Sequence, residues 1–201
     1  MSAMLQEAID AVDTTKYDAI ILGYGLCNNG IRGLRSELPL VIPRAHDCIT
    51  LLLGSKERYK KYFDKNPGTY FESTGWLERG DASSVDNEKS IPAQLGIKTY
   101  DQYVEEYGEE NAKYIMETLG SGIENYSKFA FIDTKVCDTE RYKKEVKSNA
   151  TEKGWEYEEL SGNTNIFLKM MNGKWDEDTF LIIQPGKTIE PSHKDDVIKL
   201  I

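Results

Sequence analysis

Residues 17–54, YDAIILGYGLCNNGIRGLRSELPLVIPRAHDCITLLLG, decide how the chain is read. A short apolar run, Ala19 to Leu22, opens into the glycine-rich turn Gly23-Tyr24-Gly25-Leu26-Cys27-Asn28-Asn29-Gly30. A second run, Leu40 to Ile42, opens as abruptly into Arg44-Ala45-His46-Asp47-Cys48. Apolar runs this short, bounded by Gly and Pro, read as buried strands of a parallel sheet. Such sheets carry their chemistry outside the carboxyl ends of the strands, where loops converge. Those ends hold two of the chain's three cysteines and one of its two histidines.

Working outward, Asp47 is spaced to cap a helix over Cys48 to Leu53 that Gly54 closes. Ser55 caps a second helix ending near Asn66-Pro67-Gly68, and Asn28 or Asn29 is a candidate cap for a short helix through Arg35. Upstream, Leu5, Ala8, Ile9 and Val12 keep helical spacing over Met4 to Val12. Downstream come a brief strand at Thr69 to Phe71 and a polar surface loop at 81–90. A helical block follows at 91–126, with a capping box at Thr99 and Gln102, a jog at Gly108 and an end at Gly120. Phe129 to Ile132 is a strand, and 138–153 a helix turning Tyr142, Val146 and Ala150 inward until Gly154 stops it. Trp155 to Leu160 alternates like a sheet edge. Ser161-Gly162-Asn163-Thr164 opens a helix to Met171, and Phe180 to Ile183 is a wholly apolar strand.

Strands alternating with helices over short links predict right-handed crossovers and a parallel sheet. The expected fold is one α/β domain over 1–201, three-layered and Rossmann-like, with a helical insertion at 91–126. Its mostly parallel sheet would hold residues 19–22, 40–42, 129–132, 156–160 and 180–183, with helices on both faces. Units of this kind usually open on a strand, and this chain opens on a helix. A first strand is therefore expected to be missing, leaving the Ala19 edge open or filled by a second copy in a homodimer.

The chain of 201 residues carries a net charge of −9, which argues against a nucleic-acid partner. No apolar run approaches the length of a membrane span, and no basic-then-apolar signal segment opens the chain. An odd count of cysteines fits a reducing compartment, so a cytoplasmic location is expected.

Cys27, His46, Cys48 and Cys137 all fall just beyond expected strand ends. Thiolate and imidazole suit zinc and other borderline-soft transition metals. Cys48 at a helix start is expected to have its pKa lowered by the helix dipole. Two other readings remain open, a metal-free redox or catalytic thiol and plain packing of small apolar side chains. Gly23 and Gly25 match part of a dinucleotide-binding turn, but Asn28 stands where the third glycine belongs. Arg44 is placed to hold an anion, and Gly162 and Asn163 at a helix start offer backbone N–H groups to a phosphate or carboxylate. Asp133-Thr134, at another strand end, either orients a ligand or caps a turn. A small-anion or nucleotide module without catalysis is the alternative these residues support.

The segments YDAIILGYGLCNNG, VIPRAHDCITLLLGS, ERYKKYF, NPGTYFESTGW and WDEDTFLIIQPGKTI resemble the prokaryotic domain-of-unknown-function family 1638 over essentially the whole chain. The matching positions are Gly23, Tyr24, Gly25, Leu26, Cys27, Arg44, His46, Asp47 and Cys48. The resemblance implies no established activity, only an association with genes of corrinoid-dependent methyl transfer. It also implies a further N-terminal strand bearing a cysteine, expected here to be absent or replaced, and no motif at Cys137. The expected function is binding of a transition metal, zinc foremost, or of a metal-bearing cofactor, in methyl-group metabolism. A small-molecule ligand or corrinoid methyl-transfer proteins would be its partners.

Overall fold

The computed structural model describes residues 2–27, 29–78, 100–120, 126–192 and 196–201, the side chains of Tyr100 and of 116–120 excepted. In chain order the first elements are α1 (Ser2–Asp10), β1 (Ile20–Ile21), β2 (Leu40–Pro43), α2 (Cys48–Leu53) and α3 (Lys56–Lys65). Next come β3 (Thr69–Glu72), α4 (Thr74–Glu78), α5 (Tyr100–Tyr107), α6 (Glu109–Gly120) and β4 (Lys128–Asp133). The last are α7 (Glu140–Lys153), β5 (Glu156–Ser161), α8 (Asn165–Met171), β6 (Phe180–Ile183), β7 (Ile189–Pro191) and β8 (Ile198–Leu200). They group into two compact units, residues 1–62 with 162–201, and residues 63–161.

The first unit is built on the sheet β1-β2-β6. β1 runs parallel to β2, with Ile20 opposite Leu40, and β6 runs antiparallel to it, with Ile183 opposite Leu40. Successive side chains of β2 point to opposite faces. Leu40 and Ile42 pack with Leu5, Ile9, Ile31 and Leu34 in one cluster, and Val41 with Leu51, Ile166 and Met170 in another. A strand covered on both faces has no position left for a polar residue, which is why Leu40 to Ile42 is unbroken. β7 and β8 form a separate antiparallel pair, in a tail that carried no signal in the sequence.

The second unit holds the parallel sheet β3-β4-β5. Tyr142, Val146 and Ala150 of α7 recur every four residues and seat that helix on Phe129 and Phe131. Gly154, at φ 67°, ends α7 in the left-handed conformation that a side chain resists. Beyond β4, Asp133 accepts from the Lys135 N–H at 2.9 Å and from Lys143 Nζ at 2.8 Å. Asp133 is thus the pin of the turn that carries Cys137.

Mixed α/β structure with a parallel sheet is present, but the strands expected in a single sheet divide between two. β2 has β1 and β6 on its two sides, and β4 has β3 and β5. The Ala19 run thus lies in the sheet β1-β2-β6 and the Phe129 run in the sheet β3-β4-β5. β6 is antiparallel, against expectation. β1 is an edge strand, paired with β2 alone among the described strands. The short helix expected through Arg35 is replaced by turns, because Cys27, Asn29 and Gly33 take φ of 45°, 66° and 74°. Left-handed residues at that density cannot continue an α-helix. The break at Gly108, φ 79°, separates α5 from α6 as the spacing required. Asn28 as a cap, the loop at 81–90, residues 91–99 and 121–125 of the helical block, the Thr99 half of its capping box and His193 lie outside the described residues. Among the described residues no helix is long and apolar enough to cross a membrane.

Candidate functional site

Beyond the carboxyl ends of β1 and β2 the two chain segments stay side by side. The Leu22 N–H donates to the Val41 carbonyl at 2.9 Å. After a break at Gly23 to Gly25, the Leu26 N–H donates to Ala45 at 2.8 Å and the Cys27 N–H to His46 at 2.9 Å. Gly25 makes this approach possible. A Cβ there would sit 2.8 Å from the Asp47 Cα and N and 2.9 Å from its carbonyl carbon, closer than side chains tolerate. The glycine-rich turn is therefore a crossing point of two loops. Gly23 is under no such constraint, its nearest neighbour being the Met170 methyl at 3.6 Å.

Cys27 takes φ 45°, in a region that costs a residue with a Cβ roughly 1–2 kcal/mol. It is held there by the Gly30 N–H, shared between the carbonyls of Leu26 at 2.9 Å and Cys27 at 3.1 Å. Strain of this kind persists only where the surroundings enforce it, and it concentrates at functional sites. On the other loop Asp47 caps α2, accepting from the Thr50 N–H at 3.0 Å and the Thr50 hydroxyl at 3.1 Å. Cys48 is then the first residue of α2, whose far end is closed by Gly54 at φ 76°.

Both thiols are half-buried and free. Burial pushes the Cys27 thiol above its ordinary pKa and Asp47 adds to the rise, while hydrogen bonds from the Gly25 and Cys48 backbones pull the other way. That bond from Cys48 puts the Cys27 sulfur at the start of α2. Cys48 is pushed up to about 11, by burial first and then by Cys27 and Asp47. The helix start was expected to lower this thiol. It does not, because desolvation and a neighbouring carboxylate outweigh the amides of one short turn. Both thiols are thus held in the protonated form by conditions that a bound cation reverses, since a cation replaces the protons and offsets the negative charge of the sulfurs and of Asp47.

The other sequence candidates sit differently. His46 is exposed, and its carbonyl is the acceptor for Cys27. Arg44 donates from Nε to the Glu177 carbonyl at 2.8 Å and from Nη1 to those of Asp196 at 3.1 Å and Ile198 at 2.7 Å. Asn163 donates its N–H to Leu52 at 2.8 Å and accepts from the Asn165 N–H at 2.8 Å, so the Gly162-Asn163 turn fastens onto α2 and starts α8. Cys137 is exposed and belongs to the second unit. Among the described residues no group of three or more His, Cys, Asp or Glu side chains is arranged to hold a metal ion.

Residues 1–171 match the model of a family described as Protein of unknown function (DUF1638). The chain belongs to that family. The DUF1638 match takes in both thiol loops and ends with α8, leaving β6 to β8 beyond it. No curated protein and no solved structure matches the chain.

Two residues emerge only from the structure. Asp47 read as a cap, yet its carboxylate also acts on both thiols. Glu72, at the end of β3 in the second unit, is pushed up to about 7 by burial and by Glu145. A lone Glu closing the strand TYFE gave no hint of that, because the position of α7 over the sheet is not written locally.

Proposed function

We propose that this DUF1638 protein binds a thiophilic transition metal, zinc foremost, through the thiolates of Cys27 and Cys48. A small-molecule ligand or a partner protein supplies the remaining coordination positions. The observation that carries the reading is the convergence of two cysteines from separate strand ends on the first turn of α2, beside the Asp47 carboxylate. Two sulfurs fit part of a tetrahedral zinc set, and open positions are what a reactive rather than a structural site keeps. An ion held there supplies Lewis acidity, lowering the pKa of a thiol or water bound to it. Within the chain, Gly25 lets the loops close, Asp47 fixes α2 and offsets cationic charge, and the strained Cys27 turn presents its sulfur. The role in cytoplasmic methyl-group metabolism, with a corrinoid methyl-transfer protein as partner, belongs to the same proposal and is carried only by the gene association that the family resemblance implies.

The test is elemental analysis of protein purified anaerobically without chelator, then loaded with zinc, alongside Cys27→Ser and Cys48→Ser. One metal per chain is expected, with binding lost in both variants while the circular dichroism spectrum is kept. Loading that neither substitution affects refutes the reading.

A further inference from the structure

We propose that Cys27 and Cys48 form a reversible intramolecular disulfide, and that this oxidation withdraws both sulfurs from metal. The geometry supporting it is the pair of backbone hydrogen bonds, Leu26 to Ala45 and Cys27 to His46, that ties one cysteine's loop to the segment leading into the other. The contact of Gly25 with the Asp47 backbone removes the slack between the loops. The Cys48 backbone hydrogen-bonds the Cys27 sulfur, which places that sulfur beside the first residue of α2. Cys137 belongs to the second unit.

The oxidant is a low-molecular-weight disulfide. The Cys27 sulfur, once deprotonated, attacks one sulfur of that disulfide, whose S–S bond breaks and releases one thiolate. The Cys48 thiolate then attacks the Cys27 sulfur of the mixed disulfide and releases the second. The protein loses two electrons and two protons, and the small disulfide is reduced to two thiols. A sulfur bonded to sulfur is no longer a thiolate ligand, so oxidation and metal occupancy exclude one another. This regulatory consequence rests on the metal-binding reading, whereas the disulfide itself does not.

The test equilibrates the metal-free full chain anaerobically with oxidised glutathione, alkylates the remaining thiols and maps the peptides by mass spectrometry. The expected product has one Cys27–Cys48 disulfide and an alkylated Cys137, and dithiothreitol reverses it. Cys48→Ser should give no intramolecular bond. Alkylation of Cys27 and Cys48 after equilibration, or a bond from either of them to Cys137, overturns the proposal. A parallel zinc titration separates the two readings. Zinc binding by the reduced form with at least tenfold weaker binding by the oxidised form supports the switch. Equal zinc affinity in both forms refutes it. The disulfide without any zinc binding by the reduced form refutes the metal reading and leaves the disulfide standing.

Discussion

Substituting Gly25 with alanine tests whether the loop crossing is what builds the thiol pair. The new Cβ would stand 2.8 Å from the Asp47 Cα and N, whereas ordinary contact begins at 3.4 Å, so the loops must part by about 0.6 Å. Backbone atoms on both sides leave no flexible side chain to absorb this. Parting by that amount stretches the bonds from Leu26 to Ala45 and Cys27 to His46, now 2.8 and 2.9 Å, past about 3.2 Å, where hydrogen bonds weaken. Overpacking costs about 1–3 kcal/mol, and each weakened backbone bond about 0.5–1.5 kcal/mol. These terms overlap, so a loss of roughly 2–4 kcal/mol is expected. Gly25 is not in the left-handed region, so the cost is one of packing. Gly33→Ala is the matched control, with φ 74° but nothing within 4 Å, and should lose about 1 kcal/mol from strain alone. Urea unfolding of both variants measures the difference. Ultraviolet thiolate titration should show Cys48 ionising below its value of about 11, because Cys27 has drawn away. Equal stability of the two variants, with an unmoved Cys48 titration, refutes the reasoning.

Asp47→Asn keeps a good helix cap but removes a negative charge that raises both thiols. Alkylation of Cys27 and Cys48 at pH 8 should therefore speed up, with stability changed by less than about 0.5 kcal/mol. Gly54→Ala adds left-handed strain at φ 76° to a Cβ 2.7 Å from that of Asn163, and should cost at least about 2 kcal/mol in urea unfolding. Glu72 is raised to about 7, so the folded state binds more protons than the unfolded one between its usual value of 4.5 and 7. Stability should then fall as pH rises through that window. Glu72→Gln should be neutral at pH 4 and more stable than wild type at pH 8, by up to about 3 kcal/mol.

The local grammar of the fold was legible because its causes are local. Asp47 and Gly54 bracket α2, Gly154 ends α7, and Tyr142, Val146 and Ala150 face inward, all from spacing and capping chemistry a few residues apart. Strand partners were not legible. An apolar run such as Leu40 to Ile42 reports burial on both faces, but that is equally true of a strand with parallel or antiparallel neighbours. The antiparallel β6 and the division into two sheets therefore had no local signature. At the site, the meeting of the Cys27 and Cys48 loops followed from consecutive strands being neighbours. The direction of the thiol shifts did not, since desolvation depends on what packs around the loop. Gly25 read as part of a nucleotide turn because glycine serves any close backbone approach, and only the position of Asp47 shows which one this is.

The central claim is that Cys27 and Cys48 together ligate a metal, and X-ray absorption at the zinc edge of the anaerobic full chain with one zinc per protein tests it most directly. The account predicts two sulfur scatterers at about 2.3 Å with lighter atoms completing the shell, falling to one in Cys48→Ser. A shell without sulfur, or one that Cys48→Ser leaves unchanged, contradicts it.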